Sequence, residues 1–325
     1  MKILIANRGE IAIRIARAAA DLGISTVAVY SQDDARSLHA ARADQSHALP
    51  GSGARAYLDG EAIIAAAKAT DCDAIHPGYG FLSENGKFAA DCKAANLTFI
   101  GPSPEHLDLF GDKGAARRLA TRQGVPVIAG VSEPVNEEQA RKFFEGLPAG
   151  SKMVFKAIAG GGGRGMRIVN ALDEINDAFT RASSEANAAF GNGAVYVEQF
   201  VADARHIEVQ IAADASGNVM HFGTRDCTVQ RRHQKIIEIA PAPFLPDGIR
   251  DAMQSAAVKL SRVAGYRSLG TFEFLYEPAR RSWYFIEANA RLQVEHTVTE
   301  AVMNLDLVQL QIGIAQGRTL TDHGL

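Results

Sequence analysis

Long apolar runs are missing from this sequence. No stretch of its 325 residues approaches the roughly 18 apolar residues that a membrane-spanning helix needs, so no membrane partner is expected. The N-terminal run Ile3–Ala6 stops at Asn7, Arg8, Gly9 and Glu10, short of the ~7–15 apolar residues of a secretory leader, and none is expected. Cysteine is scarce. Cys72, Cys92 and Cys227 are odd in number and lack metal-type spacing, which predicts reduced thiols and a cytoplasmic protein. Charge of one sign is also lacking: 34 Lys and Arg against 37 Asp and Glu leave a net −3. That argues against a nucleic-acid protein working by bulk positive charge, while leaving room for a local phosphate site. There is no internal repeat, and 47% hydrophobic with 22% charged residues excludes a disordered chain.

What is present is first a strand–helix alternation. Ile3–Ala6, Thr26–Val29, Ala74–His76 and Thr98–Ile100 read as strands. Between them Ile11, Ile15, Ala18 and Leu22 mark a helix face that Gly23 can end, Asp59 can cap a helix over 61–69, and 87–95 reads as another helix. This predicts an open α/β domain with a parallel sheet and a ligand crevice at the carboxyl ends of its strands. Residues 124–134 turn to Gly, Pro, Val and Ser and read as a linker. A small unit follows: helices over 137–145 and 172–190, with strands over 153–157, 166–169 and 195–199. Beyond Ile207 strands dominate, at 207–213, 219–224, 235–240, 270–276 and 283–288, with one helix over 249–264; short turns between them predict an antiparallel sheet. The fold class is therefore α/β, becoming α+β in the second half.

Three segments carry chemistry. The run Gly160–Gly165 holds G-x-G-x-x-G, but the strand-like Met166–Val169 follows where a dinucleotide fingerprint opens a helix, and the Lys-Ser/Thr of a Walker A loop is absent. A glycine-tipped β-hairpin remains, whose backbone N–H groups approach phosphates closely, with Lys156 as a nearby cation; the alternative is a flexible linker. Next, Glu273 and Glu287 are centred on residue 280, inside the turn-like Glu277–Arg281, so a hairpin sets them nearly opposite each other. At ~4 Å and an effective dielectric of ~20 their repulsion is about 4 kcal/mol, which calls for a cation or a raised pKa. Strand alternation adds Asn289 and Arg291 to this face, and Gln293 and Glu295 if the chain stays extended; hard oxygen ligands of this kind suit Mg²⁺ or Mn²⁺. If the face were merely solvated, Phe272, Phe274, Tyr284 and Ile286 would form its buried side. Finally, Gln230–Lys235 is a run of hydrogen-bond donors without an acid, suited to an anion or to protecting a sheet edge. His206 alone reads as a structural histidine.

Together these segments resemble the ATP-grasp superfamily, and within it the biotin carboxylase family. The resemblance spans Lys2 to Leu325. Its motifs are Ile5–Ala12, His76–Asn85, Gly111–Lys113, Lys156 with the glycine run, Gln230–Lys235 and Arg291–His296. It implies a Rossmann-like pre-ATP-grasp domain over 1–112, a linker helix and ATP-grasp lid over 113–200, and an antiparallel ATP-grasp catalytic domain over 201–325. The family's last domain normally continues past the position of Leu325, so that domain is expected to be incomplete here. The implied reaction joins bicarbonate to the γ-phosphate of ATP, then passes the carboxyl group of carboxyphosphate to biotin.

By the same resemblance, Lys113, Lys156, Gly162, Gly163, His206 and His233 bind ATP. Glu198, Gln199, Phe200 and Val201 form the adenine hinge, and Gln230 lies near the ribose. Glu273, Glu287 and Asn289 hold two Mg²⁺ or Mn²⁺ ions. Lys235, Arg291, Gln293 and the Val294 backbone cradle bicarbonate. Glu295 is the general base, and Arg291, Glu295 and Lys235 form the catalytic set. No Met-Lys-Met attachment motif occurs, so biotin is expected on a biotin carboxyl carrier protein or domain. A carboxyltransferase component and a homodimer are further implied partners. Another ATP-grasp carboxylate–amine ligase, and a fragment that binds nucleotide without turnover, are the rival readings.

Overall fold

The computed structural model describes residues 1–131, 133–158, 165–232 and 234–325. Among these, β1 (Lys2–Ile5), α1 (Gly9–Asp21), β2 (Ser25–Tyr30), α2 (Leu38–Arg42), β3 (Gln45–Ala48), α3 (Gly60–Ala69), β4 (Ala74–His76), α4 (Gly86–Ala94) and β5 (Thr98–Phe99) follow in order. The strands form a parallel sheet in the order β3-β2-β1-β4-β5. Helices cover both faces, so Ile3, Leu4, Ile5 and Val27 are fully buried, which explains why β1 and β2 read as apolar runs rather than alternating ones. The expected cap of α3 is present: the Asp59 carboxylate accepts from the Ala62 N–H. Edge strand β3, Gln-Ser-His-Ala, was not expected. It is polar because it pairs on one side only.

Helices α5 (Pro104–Gly111) and α6 (Lys113–Arg122) carry the chain across the molecule. Asp112 caps α6 by accepting from the N–H groups of Gly114 and Ala115. Next come β6 (Gly130–Val131), α7 (Glu137–Glu145), β7 (Lys152–Ala157), β8 (Arg167–Val169), α8 (Ile175–Phe190) and β9 (Val195–Phe200), with the sheet order β6-β9-β7-β8. The glycine run at 159–164 lies outside the described residues. The strands flanking it, β7 and β8, pair antiparallel, Val154 opposite Ile168. Residues 124–134 are more than a linker. Gly130 and Val131 pair with Glu198 and Val197 of β9, leaving so little room that a Cβ on Gly130 would stand 2.8 Å from the Val197 carbonyl oxygen.

The remaining elements are β10 (Arg205–Ala213), β11 (Val219–Arg231), β12 (Gln234–Ile239), α9 (Asp247–Val263), β13 (Ser268–Glu277), β14 (Ser282–Asn289), α10 (His296–Met303) and α11 (Leu307–Ala315). The strands form the expected antiparallel sheet, in the order β12-β11-β10-β13-β14. One core joins this sheet to α5 and α6 through Leu107, Phe110, Ala116, Ile207, Phe272 and Phe285. A second core packs α11 against α1 through Ile11, Ile15, Leu307 and Leu310. A β-bulge shifts the register after Glu273↔Glu287, so that Phe274 faces Phe285. Phe285, with Ala288, is therefore the β14 contribution to the core, rather than Tyr284 or Ile286. No helix among the described residues is long and apolar enough to cross a membrane.

Candidate active site

The β13–β14 hairpin places Glu273 directly across from Glu287, as the symmetry about residue 280 predicts. Each acid is met by cations. Lys113 Nζ, from the first turn of α6, lies 2.9 Å from Glu287 Oε2. Glu273 faces His206 Nε2 at 2.6 Å and Lys235 Nζ at 3.1 Å, and accepts from Asn289 Nδ2 at 2.7 Å and Gln293 Nε2 at 3.0 Å. Burial opposes ionisation of both acids. The His206 contact nevertheless holds Glu273 below the usual carboxylate range, and Lys113 does the same for Glu287. Glu287 in turn raises the Lys113 ammonium above its ordinary value. Burial works against the charged forms of His206 and Lys235, but Glu273 outweighs it for His206, and Glu273, Glu208 and Glu295 together outweigh it for Lys235. Two opposed carboxylates with the Asn289 amide oxygen alongside form a hard oxygen donor set, which fits a divalent cation of the Mg²⁺ type.

These groups line a cleft of about 780 Å³. Around it stand Lys113, Lys156, Gln199, Phe200, Val201, His206, Gln230, Lys235, Glu273, Glu287, Asn289, Arg291, Gln293, Val294 and Glu295, all residues named from the sequence, with Ile128, Val154, Leu275 and Ile286 as apolar lining. Gly162, Gly163 and His233 lie outside the described residues. Glu198 belongs to the hinge strand β9 and is not among the residues lining the cleft. It accepts from Arg117 Nη1 and Lys156 Nζ, at 2.5 Å each. The two lysines expected on phosphate are thus held on protein carboxylates.

On the far side of its contact with Glu273, Lys235 Nζ also contacts Glu208 and lies 2.6 Å from Glu295 Oε1. The chain does not stay extended to reach this point. It leaves β14 at Asn289 and turns, and Glu295 precedes the first residue of α10, so Gln293 and Glu295 arrive through a turn rather than by strand alternation. Arg291 is held by Glu84 Oε2 at 2.9 Å from its Nε and by Asn289 Oδ1 at 3.2 Å from its Nη2. His206 is drawn into the cluster rather than packed structurally: Gln230 Nε2 lies 3.1 Å from its Nδ1. Sequence reasoning missed Arg117, Glu208 and Arg225, and gave no role to Glu84, which lies within the motif His76–Asn85. The pattern His206-x-Glu208-x-Gln210 within apolar β10 was a signal for Glu208; nothing local marks Arg117 or Arg225.

A parallel α/β domain leading into an antiparallel sheet, with paired acids and flanking lysines in the cleft, defines an ATP-grasp protein. Residues 1–107 match the family model "Biotin carboxylase, N-terminal domain", and residues 112–323 match "Carbamoyl-phosphate synthase L chain, ATP binding domain". The chain belongs to the biotin carboxylase family, whose members are ATP-dependent ligases. The mitochondrial pyruvate carboxylase of Rattus norvegicus is 51% identical over the whole of it, and the pyruvate carboxylase of Bacillus subtilis (strain 168) is 52% identical over 98% of it. The chain spans 28% of the length of each. Among solved structures, the biotin carboxylase–β,γ-ATP complex from Campylobacter jejuni has a TM-score of 0.93 and 45% identity, covering 98% of this chain and 71% of that one. The biotin carboxylase domain dimer of the Hydrogenobacter thermophilus 2-oxoglutarate carboxylase, with MgADP, ADP and bicarbonate, has a TM-score of 0.93 at 41% identity, covering 98% of this chain and 70% of that one.

Proposed function

We propose that the chain carboxylates biotin with bicarbonate and ATP through carboxyphosphate, the first half-reaction of a biotin-dependent carboxylase. The observation that carries this reading is the presence in one cleft of two adjoining chemistries: the Glu273–Glu287 pair with Lys113 and Lys156, and, meeting it at Glu273 and Asn289, the set Lys235, Arg291 and Glu295. An amide-forming ATP-grasp ligase accounts for the first set and leaves the second without a task.

In this reading Lys113 and Lys156 leave Glu287 and Glu198 for the ATP phosphates, where positioning and charge neutralisation provide most of the catalysis of phosphoryl transfer. Arg117 stays on Glu198, so that buried carboxylate keeps a partner when Lys156 departs. Glu273, Glu287 and Asn289 would hold Mg²⁺ or Mn²⁺, which when bound neutralises phosphate charge. Gln199, Phe200 and Val201 meet the adenine and Gln230 the ribose; Gly162, Gly163 and His233 complete the phosphate side. Lys235, Arg291, Gln293 and the Val294 backbone hold bicarbonate, Arg291 with a planar fork. Glu295 takes the bicarbonate proton, strengthening a poor nucleophile within hydrogen-bond reach. A bicarbonate oxygen then bonds to the γ-phosphorus as the bond to ADP breaks; the C–O bond of the resulting carboxyphosphate next breaks, its phosphate leaves carrying the ureido N–H proton of biotin, and the carboxyl carbon bonds to that nitrogen.

Biotin is delivered by a carrier protein or domain and used by a carboxyltransferase component, with the chain working as a homodimer. The three buried, unpaired thiols suit a reducing compartment, and we place the protein in the cytoplasm. ATP cleavage is to be measured without bicarbonate, with it, and with free biotin added. Stimulation by bicarbonate and then by biotin supports the reading. Cleavage that requires an amine in place of bicarbonate points to the amide-forming ligase, and tight Mg·ATP binding without any turnover points to a nucleotide-binding role.

A further inference from the structure

Beneath the anion end of the cleft lies a side-chain network outside the proposed chemistry. Arg225, on β11, is among the largest fully buried side chains of the described residues and does not line the cleft. Every nitrogen of its guanidinium is used. Nε and Nη2 donate to Glu208 Oε2 at 3.1 and 2.9 Å. Nη1 donates to Gln210 Oε1 and to Thr299 Oγ1, both at 2.9 Å. Nη2 also reaches Gln293 Oε1 at 2.9 Å and Thr271 Oγ1 at 3.2 Å. These partners come from β10, β13, the turn after β14, and α10, so one planar fork ties together four separate pieces of chain. An ammonium has three donors on a single atom and cannot reproduce the pattern.

Two of the partners continue into the cleft. Glu208 binds Arg225 through one carboxylate oxygen and Lys235 through the other. Gln293 gives its carbonyl oxygen to Arg225, which directs its Nε2 to Glu273. Thr299 lies on the helix that Glu295 precedes. The lysines at the nucleotide end have other anchors, Glu287 and Glu198.

We propose that Arg225 is a positioning residue for the anion end of the cleft: through Glu208 it sets Lys235, and through Gln293 and Thr299 it sets the segment that carries Glu295. The inference rests on the carboxylase reading above. A positioning residue acts on the affinity and use of one substrate, whereas a merely structural arginine affects only the folded fraction.

The test uses the full chain and two ligands measured separately, Mg·ADP by calorimetry and ¹³C-bicarbonate by NMR in the presence of Mg·ADP, together with KM for ATP and for bicarbonate. Arg225→Lys keeps the buried charge and loses the fork. It is expected to weaken bicarbonate binding and raise its KM at least tenfold, with a smaller loss of Mg·ADP affinity, within about threefold, because Gln293 also donates to the metal-side acid Glu273. If Arg225→Lys fails to fold, Thr299→Val removes one tether without altering the charge balance, and it should weaken bicarbonate binding about threefold with Mg·ADP binding unchanged. Wild-type bicarbonate affinity in the folded variant, with a lowered melting temperature alone, overturns the inference and leaves the carboxylase reading standing. A parent chain that binds Mg·ADP but shows neither bicarbonate binding nor bicarbonate-dependent ATP cleavage overturns both.

Discussion

Glu287 illustrates how a single side chain in this cleft meets two demands. It is partly screened from water and has one cation close by, Lys113 at 2.9 Å, so its charge is stabilised without being used up. Replacing it with Gln removes a hard ligand and leaves the Lys113 ammonium without its partner. Glu287→Gln is expected to weaken Mn²⁺ binding by tenfold or more and to abolish ATP cleavage. Electron paramagnetic resonance of bound Mn²⁺ checks the first expectation, and unchanged metal affinity would remove the ligand assignment. His76 makes a different kind of demand. Its ring is fully buried at the end of β4, where Nδ1 accepts from the Gly78 N–H at 3.1 Å, and desolvation pushes its pKa down to about 3. The unfolded chain therefore binds the His76 proton first as pH falls. Its contribution to stability is complete above pH ~6.5 and is lost toward pH 3, with a slope of at most about 1.4 kcal/mol per pH unit. Urea unfolding of the parent and of His76→Gln over this range should show a shallower pH dependence in the variant; equal slopes would mean that His76 is protonated in the folded state.

At the scale of elements, the short strand β6 matters more than its two residues suggest. It joins the segment after α6 to β9, the strand that carries Glu198 and Gln199. Glycine at position 130 permits this approach, because a Cβ would stand 2.8 Å from the Val197 carbonyl oxygen and 2.9 Å from Glu198 Cγ. Gly130→Ala is expected to cost about 1–3 kcal/mol through overpacking. It should also raise the KM for ATP severalfold by displacing Glu198 from Arg117. Chemical denaturation and steady-state kinetics read these separately, and a variant with the parent's stability would show that β6 can move aside. The β13–β14 bulge is a second such device. By shifting the register after Glu273 it sends Phe285 to the core and Ile286 to the cleft, while the two acids stay opposite each other.

For the molecule as a whole, the N-terminal domain supports the candidate site by holding one of its residues, Arg291. Glu84, in the loop after β4, holds Arg291 from a sequence separation of 207 residues. Asn7 fixes the same loop by donating to the carbonyl oxygens of Pro77 and Tyr79. Glu84→Gln keeps the shape and removes the charge. Carboxylation of free biotin should fall about tenfold or more while the KM for ATP changes little; an equal loss in both would assign Glu84 to the nucleotide end.

Much of this architecture was legible in the residues themselves. Apolar runs between capped helices announced the parallel sheet, and the spacing of Glu273 and Glu287 about a turn announced their pairing. These features depend on local periodicity and turn chemistry, which a few neighbouring residues determine. The polar strand β3, the bulge in β14, the turn that brings Gln293 and Glu295 into the cleft, the anchors Arg117 and Arg225, and the anchoring roles of Glu84 and Glu208 were not legible. Each exists because a distant segment supplies its hydrogen bonds or its burial: Thr299 lies 74 residues from Arg225, and Glu198 lies 81 residues from Arg117. The order of amino acids alone settles which residue types are available and most of the local elements they form. The tertiary structure decided which charges are neutralised and which side chains are held, because the energy of a buried ion depends on the groups that replace its water, and those arrive only when the chain has folded.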